Sequence, residues 1–252
     1  MRARAAADLR TGALLAACAT PTPNMKTEAK ARMEMGVGHL RQNNLPAAMK
    51  ELTRASELDP DNPEIDMVLG LAYQSRGDGK SAEKYLRRAI DKKPDYAEAH
   101  NNLGYLLSTQ GRSKEAIKEY GKAAANVLYQ TPEAACTNMG EEYRRMKDYP
   151  KAEEAYRRAI TFNPRYVAAY RGLSSLQTAT NRWADAARTL GQCTEFVPDF
   201  WTCWMELGSV QLRLGKKRDA LATFRRVLSG SADPEQRKKA ASYVDLLEAQ
   251  LR

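Results

Sequence analysis

Residues that could carry chemistry are few in this chain of 252 residues, which has two histidines and four cysteines. A histidine can act as an acid, a base or a metal ligand. However, His39 and His100 both fall on predicted helix positions that pack against a neighbouring helix. The acidic residues are scattered over predicted helix surfaces, and no phosphate loop, nucleophile elbow or zinc-type cysteine spacing is present. The sequence therefore favours a protein that is not an enzyme and has no catalytic residue, metal site, cofactor or small-molecule substrate.

Two of the cysteines, Cys193 and Cys203, flank a predicted turn at Pro198. The helices on either side should run antiparallel, so the two thiols can approach each other. An exported protein would allow a disulfide there. The alternative is that Cys193 replaces a small packing residue and Cys203 is also a packing residue. Cys136 has no evident partner.

The elements that position these residues follow a period of 34 residues. A bulky residue followed by a small one recurs along the chain, and a trio of small, bulky and small residues such as Ala82, Leu86 and Ala89 follows each pair. Prolines end four of the repeats. The pairs are Met35-Gly36, Leu69-Gly70, Leu103-Gly104, Met139-Gly140, Leu173-Ser174 and Leu207-Gly208.

This pattern resembles the tetratricopeptide repeat (TPR), a pair of short amphipathic helices, A and B. The resemblance implies an all-α fold, a right-handed superhelical solenoid of six helix-turn-helix repeats. In the second repeat we expect helix A at 63–76 and helix B at 80–92. The third repeat is two residues longer, which indicates a longer helix B or an altered turn. The TPR domain should span 29–252, with repeats at 29–62, 63–96, 97–132, 133–166, 167–200 and 201–233 and a capping helix at 235–251.

Residues 1–28 lie outside the repeats and carry features of an export signal. Three arginines precede a short apolar stretch. The tetrad Leu15-Ala16-Ala17-Cys18 resembles a bacterial lipobox, in which the cysteine after the cleavage site is acylated. We therefore expect a signal peptide at 1–17, then lipidated Cys18 and a flexible tether at 18–28. The alternative is a disordered N-terminus with an incidental cysteine.

The inner face of the A helices is the expected partner-binding surface. In the first three repeats it is aliphatic and methionine-rich, which suits an apolar peptide segment. A second, polar patch in the middle of the chain suits a polar or acidic partner. Contact with neighbouring helices is the alternative role of the apolar residues. The predicted groove consists of Met33, Val37, Leu40, Met67, Leu71, Asn101 and Tyr105, and the polar patch of Asn138, Glu141, Arg144, Arg145 and Arg171.

The formal net charge of +9 does not by itself indicate a nucleic-acid partner. Nucleic-acid binding requires basic residues that cluster on one face. Here they are spread over helix B surfaces and helix ends, as in Arg87-Arg88, Arg157-Arg158 and Arg225-Arg226. This distribution favours a solvated outer surface and no nucleic acid.

Six repeats, a closing helix and a lipobox-like tetrad in this length resemble the pilotins of type IV pilus systems, the PilF, PilW and Tgl group. The resemblance implies an outer-membrane lipoprotein on the periplasmic face, held in the membrane by its acyl chains. It also implies binding to secretin (PilQ-like) subunits and a role in their insertion and assembly for type IV pili. The alternatives are a generic cytoplasmic TPR adaptor and a periplasmic scaffold for cell-wall enzymes.

Overall fold

The computed structural model describes residues 20–252, so the predicted signal peptide and Cys18 lie outside the described residues. Within residues 20–252 the chain forms thirteen α-helices and no strand, which confirms the all-α fold. The described chain divides into two compact units. The N-terminal unit ends at Asp61, and the C-terminal unit runs from Asn62 to Arg252.

The N-terminal unit contains α1 (Pro23–Arg41) and α2 (Leu45–Leu58). The C-terminal unit contains α3 (Pro63–Ser75), α4 (Gly79–Lys92), α5 (Ala97–Thr109), α6 (Ser113–Ala125), α7 (Pro132–Arg145), α8 (Tyr149–Phe162), α9 (Val167–Ala179), α10 (Trp183–Phe196), α11 (Trp201–Arg213), α12 (Lys217–Gly230) and α13 (Pro234–Leu251).

Helix α1 begins earlier than the sequence analysis expects. Thr22 caps it by accepting a hydrogen bond from the Met25 amide at 3.3 Å, and Pro23 occupies the first turn. A side-chain cap followed by proline is a strong helix start, because proline needs no amide partner there. The predicted flexible tether at 18–28 is therefore wrong for residues 23–28, which are helical.

Each described A helix packs closely on its own B helix at the small residue of the pair. A Cβ atom added at Gly36 would lie 2.6 Å from Leu52 Cγ, and one added at Gly104 would lie 2.7 Å from Tyr120 Cδ1. At these positions a Cβ atom would collide with the facing side chain of helix B, which explains why glycine stands at the small position in five of the six repeats, with Ser174 in the fifth. Within the C-terminal unit each helix packs on the next one, from α3 to α13.

The longer third repeat has an altered turn and not a longer helix B. Helix α6 ends at Ala125 and α7 begins only at Pro132. Asn126 organises the turn, because its Nδ2 donates to the Asp95 carbonyl at 2.6 Å and its Oδ1 accepts from the Leu128 amide at 2.8 Å. The tip of this turn exposes Leu128 and its neighbour Val127.

Helix α13 packs on α12 in the C-terminal unit. Its buried residues Ala240, Val244 and Leu247 pack with Phe224 of α12, whose ring stacks on Tyr243 at 4.4 Å between centroids. The polar start of this helix faces solvent. No helix in residues 20–252 combines the length and the apolar character that a membrane span requires.

Candidate protein-binding surface

His100 holds two helices together inside the C-terminal unit. Its Nδ1 lies 2.6 Å from Glu119 Oε2, and its Nε2 lies 2.9 Å from the Pro94 carbonyl oxygen. Burial opposes ionisation of Glu119, but hydrogen bonds from His100 and Lys122 outweigh it, so the pKa of Glu119 lies below its usual value. Both ring nitrogens are thus occupied by structural contacts. Among the residues that the structure describes, no group of three or more His, Cys, Asp or Glu side chains is arranged to hold a metal ion.

The two cysteines beside Pro198 form a disulfide in the structure. Cys193 on α10 is joined to Cys203 on α11, with 6.3 Å between their Cα atoms. Both side chains are fully buried. Cys136 is a free, buried thiol, and burial raises its pKa.

In the N-terminal unit the predicted groove is only partly available. Met33 is 5% exposed, so its assignment to a partner-binding lining is wrong. It lies on the same stripe of α1 as Ala29 and Gly36, and that stripe is the buried face of the helix. Val37 and Leu40 are half-buried and keep an accessible apolar surface.

In the C-terminal unit the predicted apolar lining lies on α3 and α5. Met67 is half-buried, packs on the cluster around Leu103 and accepts a hydrogen bond at Sδ from Asn102 Nδ2 at 3.4 Å. Leu71 is half-buried, and Tyr105 is 52% exposed. Leu71 and Tyr105 are therefore the apolar groups of this lining that remain open to a partner.

The lining continues into the predicted polar patch through a pair of amides. Asn138 Nδ2 on α7 donates to Asn101 Oδ1 on α5 at 3.5 Å. On α7, Arg145 donates to Ser108 Oγ at 3.0 Å and to Glu142 at 2.7 Å. These contacts join the A helices of the third and fourth repeats into one hydrogen-bonded surface.

The arginines of the polar patch are already paired with carboxylates. Glu141 accepts from Arg144 at 2.6 Å and from the Tyr156 hydroxyl at 2.6 Å. Arg171 on α9 lies 3.2 Å from Glu206 on α11. An acidic partner must therefore compete with internal carboxylates for these arginines, so the patch is a neutralised network.

One cleft of the C-terminal unit was not predicted from the sequence. A cavity of about 570 Å³ lies between α9 and α11, with Trp183 and Leu190 of α10 contributing to its lining. The ninth position of helix A explains the space, because it is Ser175 in α9 and Ser209 in α11. The same position holds Leu71, Tyr105 or Glu141 in the preceding repeats of this unit. The change from large to small side chains was the available signal.

Comparison with known proteins places the repeats in a family. A sequence model described as tetratricopeptide repeat matches residues 67–135 and 179–237. A second model with the same description matches residues 134–166. Together they span most of the chain. No curated protein sequence matches the chain at a significant level.

Solved structures share the fold over nearly their whole length. PilF of Pseudomonas aeruginosa has a TM-score of 0.69 and 18% identity, over 87% of this chain and 99% of PilF. PilW, described as a widely conserved type IV pilus biogenesis factor, has a TM-score of 0.66 and 21% identity, over 84% of this chain and 98% of PilW. MamA has a TM-score of 0.57 and 22% identity, over 67% of this chain and 91% of MamA. At these identities the likeness shows the fold.

Proposed function

The chain belongs to the tetratricopeptide repeat family, and from that premise we propose that it is a pilotin. In this proposal it is an outer-membrane lipoprotein that binds secretin subunits and promotes their insertion and assembly for type IV pili. The observation that carries the proposal is the structural likeness to PilW, which covers almost the whole of that pilus biogenesis factor. The lipobox-like tetrad ending at Cys18 supports the lipid anchor of this proposal.

The proposed binding surface is the accessible apolar lining on α3 and α5. Leu71 and Tyr105 would contact an apolar segment of the secretin, and the Asn101–Asn138 pair would supply hydrogen-bonding groups beside it. Burial of apolar area stabilises such a contact by about 25 cal/mol per Å² before ordering costs are subtracted. Val37 and Leu40 offer a separate apolar surface on the N-terminal unit.

The disulfide supports an exported location. Disulfides persist in the periplasm and are rare in the cytosol, where thiols are kept reduced. The bridge between Cys193 and Cys203 is therefore what an exported protein would carry. Acylation of Cys18 would then hold the protein at the membrane, because multiple acyl chains give stable anchoring.

Substitution of the lining tests the binding surface. Leu71→Asp combined with Tyr105→Asp should abolish secretin multimers in cells while helicity measured by circular dichroism is kept. The matched control, Tyr149→Asp with Leu246→Asp, changes two exposed apolar residues on α8 and α13 and should leave the multimers intact. Tyr105→Asp alone changes a side chain that is largely in solvent, so it should fold even if the double variant does not. Normal secretin multimers with folded lining variants would contradict the assignment.

The anchor is tested independently of the partner. Mass spectrometry of the N-terminus should find a mature chain that begins with an acylated Cys18. Cys18→Gly should release the protein from the membrane fraction and impair secretin assembly. An unprocessed N-terminus would favour the cytoplasmic adaptor instead. Capture of cell-wall enzymes without secretin by a lipidated protein would favour the periplasmic scaffold.

A further inference from the structure

The lengthened turn of the third repeat carries an apolar tip that the proposed secretin surface does not use. Val127 and Leu128 lie side by side between α6 and α7 and are 94% and 77% exposed. The second, fourth and fifth repeats instead have a proline and a charged residue in the turn after helix B, as in Pro94-Asp95. An adjacent pair of almost fully exposed aliphatic side chains at a projecting turn is typical of a contact site.

The turn holds this tip in place and satisfies part of its polar backbone. The Leu128 amide donates to Asn126 Oδ1 at 2.8 Å, and the Leu128 carbonyl accepts from Gln130 Nε2 at 3.3 Å. Tyr129, the next residue, is buried in the same cluster as Cys136. A backbone whose amide and carbonyl are bonded within the turn can leave water at low cost, which is what entry into lipid requires.

Two phenylalanines add apolar surface at one edge of the C-terminal unit. Phe162 and Phe196 are the last residues of α8 and α10 and are 45% and 43% exposed. The starts of these helices are joined by an ion pair between Arg182 and Glu153. Both helices contain 14 residues, so their ends, and with them the two phenylalanines, lie at the same edge.

The tip of the third repeat belongs to this edge as well. Arg158, near the end of α8, donates to the Ala124 carbonyl near the end of α6 at 3.5 Å. The guanidinium of Arg158 also lies 5.5 Å from the centre of the Phe162 ring. A cation on an apolar stem beside an aromatic ring is an arrangement suited to a membrane interface, where the stem can lie in the apolar layer and the charge at the headgroups. We refer to Val127, Leu128, Phe162 and Phe196 together as the apolar edge.

Charges of both signs surround the apolar edge. Arg158 and Arg165 are exposed in and beside the turn after α8. Asp95, Glu195 and Asp199 are exposed in or beside the turns after α4 and α10 and offset these cations. Apolar contact must therefore supply most of any binding at this edge.

We propose that the apolar edge rests on a bilayer surface, with Val127 and Leu128 entering the acyl region and Phe162 at the level of the headgroups. Arg158 and Arg165 would then reach lipid phosphates. A protein partner fits less well, because the four side chains at separate turns offer on the order of a few hundred Å² of apolar surface, whereas a stable protein interface buries about 800 Å² per partner. The inference requires neither a secretin nor an acyl chain.

Sedimentation of purified protein with vesicles tests the proposal. The probe is vesicles of equal parts phosphatidylethanolamine and phosphatidylglycerol, and the protein carries Cys18→Gly so that no acyl chain contributes. Val127→Asp with Leu128→Asp should lower the partition constant by about tenfold or more. The matched control, Met146→Asp with Tyr149→Asp, changes two exposed apolar residues at the opposite end of α8 and should stay within about twofold of the parent. Equal losses in the two variants would overturn the proposal, as would absence of parent binding up to about 1 mM lipid.

A fluorophore at the tip separates this contact from any binding through the residues before the helices. In a Cys18→Gly, Cys136→Ala protein, a nitrobenzoxadiazole group attached to Leu128→Cys should brighten and shift to shorter wavelength when vesicles are added. The same group on Leu246→Cys, a 53% exposed position on α13, should not respond. Unchanged emission from position 128 in vesicle-bound protein would exclude the apolar edge from the membrane contact.

A second copy of the chain is the alternative occupant. Sedimentation equilibrium should find the Cys18→Gly protein monomeric without lipid. Self-association that disappears in the Val127→Asp, Leu128→Asp variant would assign the edge to a protein contact and overturn the proposal. In cells that retain the Cys18 anchor, this variant should leave secretin multimers intact, because neither residue belongs to the lining on α3 and α5. The membrane contact and the secretin surface can therefore fail independently.

Discussion

The bridge between Cys193 and Cys203 should make a measurable contribution to the stability of α10 and α11. The appropriate perturbation is a double change to alanine, because other repeats already carry alanine at both positions. The position of Cys193 corresponds to Ala89 and Ala159, and that of Cys203 corresponds to Ala99 and Ala169. Alanine therefore fits the packing of the repeat, and the variant removes the cross-link and two sulfur atoms without adding bulk.

The magnitude follows from the length of chain that the bridge closes. The two cysteines are 10 residues apart, and the loop-closure entropy removed from the unfolded chain then corresponds to about 3 kcal/mol. Loss of the two buried sulfur atoms adds about 1 kcal/mol each in packing. Reduction of the native protein removes only the first contribution, so we expect about 3 kcal/mol on reduction and about 3–5 kcal/mol for the double variant.

Urea unfolding with and without reductant measures both quantities. Tryptophan fluorescence is the suitable probe, because all three tryptophans, Trp183, Trp201 and Trp204, lie in α10 and α11. A probe located in these two helices is needed, because repeat proteins can unfold in parts and the bridge stabilises only the part that contains it. The double variant should not respond to reductant. A change below about 1 kcal/mol on reduction of the native protein would show that the chain-entropy reasoning fails here.

Three further predictions concern the packing and charge of the C-terminal unit. Gly140→Ala should lower the free energy of unfolding by about 1–3 kcal/mol, because the new Cβ would lie 2.8 Å from Tyr156 Cε1. Gly121→Ala is the control, because Gly121 lies within α6 with open space around it, and the substitution should be neutral or stabilising. A larger loss of unfolding free energy for Gly121→Ala than for Gly140→Ala, measured by urea unfolding, would contradict the packing argument. Asn126→Ala should increase proteolytic cleavage at 126–131, because it removes both side-chain bonds of that turn; an unchanged cleavage rate would show that the turn does not need them.

The third of these concerns acid stability. Hydrogen bonds from Arg182 and then Arg157 lower the pKa of Glu153 against the opposing effect of burial. Its stabilisation is present above the unfolded pKa, near 4.5, and is lost as the pH falls through the lower folded value. Glu153→Gln should therefore flatten the loss of stability below pH 4.5, measured by urea unfolding, while Glu154→Gln should not; identical acid profiles would refute the assignment.

The fold follows from the sequence because each repeat encodes its own close contact. The predicted helices at 63–76 and 80–92 correspond to α3 (Pro63–Ser75) and α4 (Gly79–Lys92), since glycine and alanine positions locate the two packed faces. The start of α1 was misplaced because its signal, Thr22 followed by Pro23, lies before the repeat pattern begins. A helix cap is a local feature, and a search by period does not detect it.

The binding surface was harder to predict from the sequence, because the exposure of a side chain depends on how the neighbouring helices pack against it. Met33 occupies a repeat position assigned to the inner face, yet it continues the buried stripe of α1. The cleft between α9 and α11 shows the opposite case, in which an inner-face position is more open than expected. Ser175 and Ser209 are small, and they leave space that larger side chains fill at the same position in earlier repeats. Part of its lining is Trp183, which belongs to a B helix and is therefore not found when only the A helices are considered.

Internal pairing decides which arginines of the C-terminal unit are available to a partner. Arg144 and Arg171 each have a carboxylate within 3.2 Å, so binding an acidic group there exchanges one ion pair for another and yields little net free energy. Arg213 has no such partner within the described residues, and its exposed side chain lies beside the Trp183 ring, so an acidic group can pair with it without displacing an internal carboxylate. A count of basic residues cannot distinguish paired from unpaired arginines, because the residue type is the same at all three positions. Glu141 reaches Arg144 within one turn of α7, whereas Glu206 on α11 reaches Arg171 on α9 only in the folded chain, and neither carboxylate pairs with Arg213.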